Sequence, residues 1–236
     1  MMMRKALVIT VLSMLSFTVY AQNLQLHFDP RHGLHSEDFQ RNYLTATFEM
    51  FKPDKWGSTF MFVDLDFNRS RGNIGLAYLE IARDIKIGKS PIMAHVEFNG
   101  GLASWGTIPN AYLAGGSYAT TLGKANLSSY LAYKYHAFER VSNDVQWTVI
   151  WGVNLLNDKV TLSGFLDIWT ENKDRTHETN SNKKKVVLLT EPQFWYNVTP
   201  NLSFGTEIEI SSNFLPDAQG KDKAFVNPTI GAKWNF

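Results

Sequence analysis

The sequence predicts an all-β fold: a single transmembrane, antiparallel, up-and-down β-barrel of about twelve strands. Three observations predict it. Apolar residues recur at every second position along almost the whole chain. Tight turns and longer polar connections alternate between the resulting segments. No stretch beyond Ala21 approaches the roughly 18 consecutive apolar residues of a membrane helix, so strands would have to cross hydrocarbon.

The chain opens on MMMRKALVITVLSMLSFTVYA. Arg4 and Lys5 precede an apolar run from Ala6 to about Val19, and Val19 and Ala21 flank Tyr20 at cleavage-site spacing. This reads as a cleaved signal peptide, residues 1–21, with residues 22–236 as the exported barrel and the outer membrane of a Gram-negative bacterium as its location. Removing Arg4 and Lys5 leaves 21 basic residues against 22 acidic, a formal charge of −1. That balance gives no nucleic-acid footprint. The chain has no cysteine, which excludes disulfides, thiolate metal sites and lipidated cysteine. No cofactor and no metal is expected.

The strands read at about 22–28, 41–51, 58–67, 73–84, 91–99, 110–120, 125–135, 145–155, 159–170, 185–196, 201–212 and 224–236. In NYLTATFEMF, Leu44, Ala46, Phe48 and Met50 share one face and Tyr43, Thr45, Thr47 and Glu49 the other. TFMFVDLDF sets Met61, Val63, Leu65 and Phe67 against Phe60, Phe62, Asp64 and Asp66. A helix needs apolar recurrence at three and four residues, and these segments give two. The turns KPDKWG, IKIGKS, TLGKA, ND and VTPN are short. DPRHGLHSEDFQ, GGLASWGTIP, HAFERVSND, ENKDRTHETNSNKK and SSNFLPDAQGKDK read as long polar loops, with NRSRG a short exception on their side. Short turns at one end and long loops at the other is the outer-membrane layout.

A strand in hydrocarbon must satisfy every backbone N–H and C=O through its neighbours, so the sheet must close. Closure pairs the last strand with the first and accounts for NPTIGAKWNF, which alternates through to Phe236. Trp234 and the terminal Phe236 fit the signal read by the barrel-assembly machinery. Tyr43, Trp56, Tyr196 and Trp234 are expected in interfacial girdles, facing lipid and lipopolysaccharide.

The polar face must then line a lumen. Its acids are Glu49, Asp64, Asp66, Glu80, Glu97, Asp167, Glu191, Glu207 and Glu209, against Lys134 and Lys233. Phe60, Phe62, Tyr78, Tyr130, Phe165, Trp169 and Trp195 interleave with them. An acidic set disfavours anions. Rings beside carboxylates suit a flat polar solute, such as a nucleobase. The same rings also fit the packed interior of a small barrel, and the acids also fit solvated or paired groups.

RNYLTATFEMF followed by DKWGSTFMFVDLDF resembles the amino-terminal region of the nucleoside-specific channel-forming proteins, the Tsx-like family. The resemblance covers about Asn42 to Phe67. It implies a monomeric twelve-stranded outer-membrane barrel that passes nucleosides, with Tyr43, Glu49, Phe60, Phe62, Asp64 and Asp66 as lumen positions. A closed barrel with a structural or loop-mediated binding role is the alternative.

An enzyme would need a nucleophile–base set. His95 shares a face with Glu97, but no serine motif accompanies it, and His136 and His177 fall in loops. Asp29, His32, His35, Glu37 and Asp38 gather in the first long loop, which reads as a solvated polar loop, with a metal site as the alternative. Lys183, Lys184 and Lys185 read as a solvated strand start facing lipopolysaccharide phosphates.

Overall fold

Alternation at period two dictates extended backbone, and extended backbone must find partners for its N–H and C=O groups. The computed structural model describes residues 22–38, 41–137, 143–173, 183–216 and 220–236. The expected signal peptide, residues 1–21, and His177 lie outside the described residues. The strands are β1 (Gln22–Asp29), β2 (Tyr43–Asp54), β3 (Gly57–Asp66), β4 (Leu76–Lys86), β5 (Ile92–Ala103), β6 (Gly106–Leu122) and β7 (Ala125–His136). They continue with β8 (Asp144–Leu155), β9 (Val160–Asn172), β10 (Lys184–Thr190), β11 (Gln193–Asn197), β12 (Leu202–Pro216), β13 (Asp222–Pro228) and β14 (Ile230–Asn235). A one-turn helix, α1 (Arg31–Leu34), follows β1.

All fourteen segments belong to one antiparallel sheet. From β1 to β9 each strand pairs with the next. β10 and β11 both lie between β9 and β12 in one unbroken register, with Thr190 opposite Leu166 and Gln193 opposite Ser163. They are one stave, interrupted at Glu191–Pro192, where the proline has no N–H for the ladder. β13 and β14 likewise share one register on β12, Pro228 opposite Ile208 and Trp234 opposite Leu202. Two such pairs reduce fourteen segments to twelve staves. β14 pairs with β1, Trp234 opposite Leu24, and the barrel is closed. The Phe236 N–H reaches the Gln22 carbonyl at 3.1 Å, so the ladder runs to the last residue.

GGLASWGTIP is not the long loop its composition predicts. β5 runs to Ala103 and β6 starts at Gly106, leaving a turn at Ser104 and Trp105. The glycines serve the sheet instead. The β5–β6 register shifts between Asn99 and Gly101, and a Cβ on Gly101 would lie 2.5 Å from the Ala77 carbonyl oxygen. Only glycine lets the neighbouring backbone come that close.

Side chains alternate across the wall. On β1, Asn23, Gln25, His27 and Asp29 are buried while Leu24, Leu26 and Phe28 are exposed. On β7, Tyr130, Ala132 and Lys134 are inside and Leu131, Tyr133 and Tyr135 outside. On β8, Asp144, Gln146 and Thr148 are inside and Val145 and Trp147 outside. The molecule is polar within and apolar without, the reverse of a water-soluble domain. Trp56 and Trp105 stand exposed at the two ends, and Tyr196 and Trp234 on the outer surface. Tyr43, expected in the girdle as well as the lumen, turns inward: its hydroxyl donates to Asp66 Oδ2 at 3.0 Å. The nearby inward carboxylate outbids the interface.

Candidate functional site: the lumen

All nine expected acids sit on the inward face. Cross-strand register sets their neighbours. Thr47 opposes Asp64 and Thr45 opposes Asp66. The Thr47 hydroxyl donates to Asp64 Oδ1 at 2.5 Å, and the Thr45 hydroxyl to Asp66 Oδ1 at 2.7 Å. Asn23 Nδ2 donates to Glu49 Oε1 at 3.0 Å. Between these acids the rings form a ladder: Phe60 to Phe62 centroids are 6.1 Å apart and Phe62 to Tyr78 6.0 Å. The Tyr78 hydroxyl donates to Glu80 Oε1 at 2.7 Å.

On β4 to β6, His95 lies between two carboxylates. Its Nδ1 is 2.9 Å from Asp84 and its Nε2 3.2 Å from Glu97, while its ring stacks on Tyr130 at 4.0 Å. The Ser117 hydroxyl donates to Asp84, not to the imidazole. Each imidazole nitrogen therefore faces a carboxylate.

On β7 to β9, Gln146 is the hub. Lys134 Nζ donates to Gln146 Oε1 at 2.7 Å, and Gln146 Nε2 donates to the Tyr130 hydroxyl at 2.9 Å. Thr148 donates to Asp167. Lys134 Nζ stands 4.6 Å over the Trp169 ring, and Trp169 Nε1 donates to Glu171 at 3.0 Å. Phe165 opposes Ile150 in the β8–β9 register.

On β10 to β14, Gln193 Nε2 donates to Glu207 Oε2 at 2.6 Å, and Trp195 Nε1 to Gln193 Oε1 at 2.9 Å. Trp195 is fully buried, with Lys233 Nζ 4.1 Å above its ring and His27 edge-on at 5.6 Å. Glu191, carried in by the stave's break, is in electrostatic reach of Glu207, Glu209, Asp64 and Asp167.

The loop end differs. Arg31, 2% exposed, bridges Asp29 at 3.2 Å and Glu209 at 2.9 Å. Arg41 adds contacts to Asp29 at 3.5 Å and Asp66 at 4.0 Å. Lys184 pairs with Asp144 at 2.9 Å, and Lys185 with Asp222 at 2.7 Å and Glu171 at 3.4 Å. Lys184 and Lys185, expected to face lipopolysaccharide, are thus engaged with carboxylates of their own chain. The first loop is likewise not merely solvated: Asp29 and Arg31 are buried, Asp38 pairs with Lys223, and His35 Nε2 lies 3.3 Å from the Val226 carbonyl. Among the described residues, no three His, Asp or Glu side chains are grouped for a metal ion.

Sequence reasoning left Asp29 in a solvated loop and missed Arg31, Arg41, Asp84 and Asp144. The signal for Arg31 was present, since Asn23, Gln25, His27 and Asp29 continue to it at period two.

Solved structures share this architecture. A NanC porin is 12% identical with a TM-score of 0.59, over 92% of this chain and 100% of that one. A KdgM porin is 9% identical with a TM-score of 0.50, over 92% and 99%. A KdgM porin in complex with disordered oligogalacturonate is 10% identical with a TM-score of 0.50, over the same shares. At these identities the likeness is one of fold. No curated protein sequence matches the chain. Residues 21–236 match a family model, and the chain therefore belongs to the family described as Domain of unknown function (DUF5020).

Proposed function

We propose that this chain is an outer-membrane channel for passive uptake of small polar solutes, neutral or cationic, with nucleoside-like solutes preferred. One observation carries the reading: the mid-lumen carboxylates Asp64, Glu80, Asp167 and Glu207 are held by hydroxyls and an amide, not by cations. Neutral donors orient a carboxylate and leave its charge to the lumen. The Phe60–Phe62–Tyr78 ladder supplies flat faces beside those acceptors. A nucleoside brings a ring to stack and donors to pair, and the Tsx-like resemblance implies the same class. Oligogalacturonate, bound in the KdgM complex, is a polyanion that an acidic lumen repels, so that solute is not carried over.

In this reading the chain is exported by its signal peptide and its outer apolar belt meets lipid and lipopolysaccharide. The barrel-assembly machinery reads Trp234 and Phe236, and the barrel works as a monomer without catalysis. The other lumen acids and rings, from Glu49 and Asp66 to Trp195 and Glu209, shape the passage.

Single-channel conductance in a planar bilayer, with adenosine titrated in, tests this. Small cation-preferring steps that adenosine blocks saturably are expected. Steps indifferent to adenosine would retain the channel and discard the nucleoside. Absence of current from a folded barrel would favour a closed barrel with a structural or loop-mediated binding role. The fully buried Trp195 under Lys233 is the feature that favours that second reading.

A further inference from the structure

Glu97 Oε1 and Asn99 Oδ1 are buried and accept a hydrogen bond from no described residue. Both residues are more than nine-tenths buried, Glu97 at 8% exposure and Asn99 at 6%. Leaving a buried acceptor without a donor is costly, so their joint position calls for one. They lie two residues apart on β5 and therefore project side by side from one face. The register places Asn99 directly opposite Glu80 on β4 and Ala111 on β6, and Glu97 opposite Leu113 on β6. Asn99 thus points into a carboxylate cluster.

The chain's own donors there are already engaged. The Tyr78 hydroxyl serves Glu80 Oε1 and His95 Nε2 serves Glu97 Oε2, while Lys134 Nζ gives an N–H to Gln146 and lies over Trp169; none of these groups reaches Glu97 Oε1 or Asn99 Oδ1. Glu80 is in electrostatic reach of Glu97 and Asp167, with Lys134 the cation among them. With His95 between Asp84 and Glu97, four carboxyl groups stand there against two basic side chains, so acceptors outnumber cations. Its other border is apolar, where Ala111, Leu113, Tyr130 and Ala132 pack together.

We propose that this part of the lumen wall binds the primary ammonium group of a solute. The three N–H donors of an ammonium match acceptors from Glu80, Glu97 and Asn99, and the adjoining methylenes lie against Leu113 and Tyr130. The proposal rests on the channel reading and names a solute class within it: small amines carrying a short aliphatic stem.

Isothermal titration calorimetry on the full barrel in detergent, with n-butylamine at pH 7 and n-butanol as its neutral counterpart, tests the site. Saturable binding of butylammonium and none of butanol is expected. Glu97→Gln and Asn99→Leu should each weaken binding by about tenfold, the loss of one charge-assisted contact. Asn99→Asp should tighten it, because it adds charge to an acceptor of the same shape. Circular dichroism verifies folding, and Asn99→Asp carries the test if the leucine variant does not fold. Equal binding of butanol, or an affinity unmoved by Asn99→Leu, overturns the site. So does a loss on Glu207→Gln as large as on Glu97→Gln, which would mean general attraction to an acidic lumen. Loss of binding in Asn99→Asp would show that the amide donates to its neighbours, and overturns it too. Calorimetry is independent of current: a non-conducting barrel that binds butylammonium retains the site and loses the channel. A conducting barrel that ignores butylammonium loses the site alone.

Discussion

The loop end and the middle of the lumen hold carboxylates in opposite ways. At the loop end, Asp29 and Glu209 meet Arg31, Asp144 meets Lys184, and Glu171 meets Lys185. At mid-height, Asp64 is held by Thr47, Asp167 by Thr148, Glu207 by Gln193 and Glu80 by Tyr78. A cation cancels the charge it fixes. A hydroxyl or amide fixes the side chain and leaves the charge standing. The same residue type therefore ties strands together in one region and, in the proposed channel, sets the field of the lumen in the other.

Removing Arg31 should produce the largest effect on the fold. Arg31→Ala leaves Asp29 and Glu209 buried without their shared cation, a loss of about 3–5 kcal/mol. Urea unfolding of the barrel in lipid reads it, and cation preference should hardly change. A loss below about 1 kcal/mol, the range of exposed pairs, would erase the distinction between the two regions.

The opposite outcome is expected at mid-height. Glu191→Gln with Glu207→Gln should keep the unfolding midpoint near that of the parent, since glutamine preserves shape and accepts the same hydrogen bond. The reversal potential in a KCl gradient should fall towards zero as fixed charge leaves the lumen. Glu209→Gln, two residues further along the same strand but paired to Arg31, should do the reverse. Phe62→Ala should weaken adenosine block by about tenfold, the value of one stacked base, while ion preference stays.

How much of this was legible follows from what period two can and cannot carry. The alternation in TFMFVDLDF placed Phe60, Phe62, Asp64 and Asp66 on the lumen face, and the run to Phe236 placed the closing strand. Pairing partners were not legible. Nothing local in the sequence sets Asp64 against Thr47 or Glu209 against Arg31, since these partners are 17 and 178 residues apart. Composition misled where glycine permits close backbone approach, as at Gly101, because a loop and a shifted register both favour it. It misled again at Arg31, where a polar loop residue follows the strand's own period into the interior.

The smallest effect expected at the loop end falls on Lys223. Its Nζ lies 2.9 Å from Asp38 and 5.3 Å from the Phe225 ring centroid, and its side chain is 51% exposed. The chemistry matches that of Arg31 with Asp29: one cation, one carboxylate, good distance. The setting differs, because water competes for an exposed ammonium and salt screens it. Lys223→Ala should therefore cost about 0–1 kcal/mol, and raising salt to about 1 M, where the screening length is about 3 Å, should remove most of that difference. The Arg31→Ala loss should persist at the same salt. If both losses were equal, or both vanished with salt, burial would not be what separates a structural ion pair from an incidental one in this barrel.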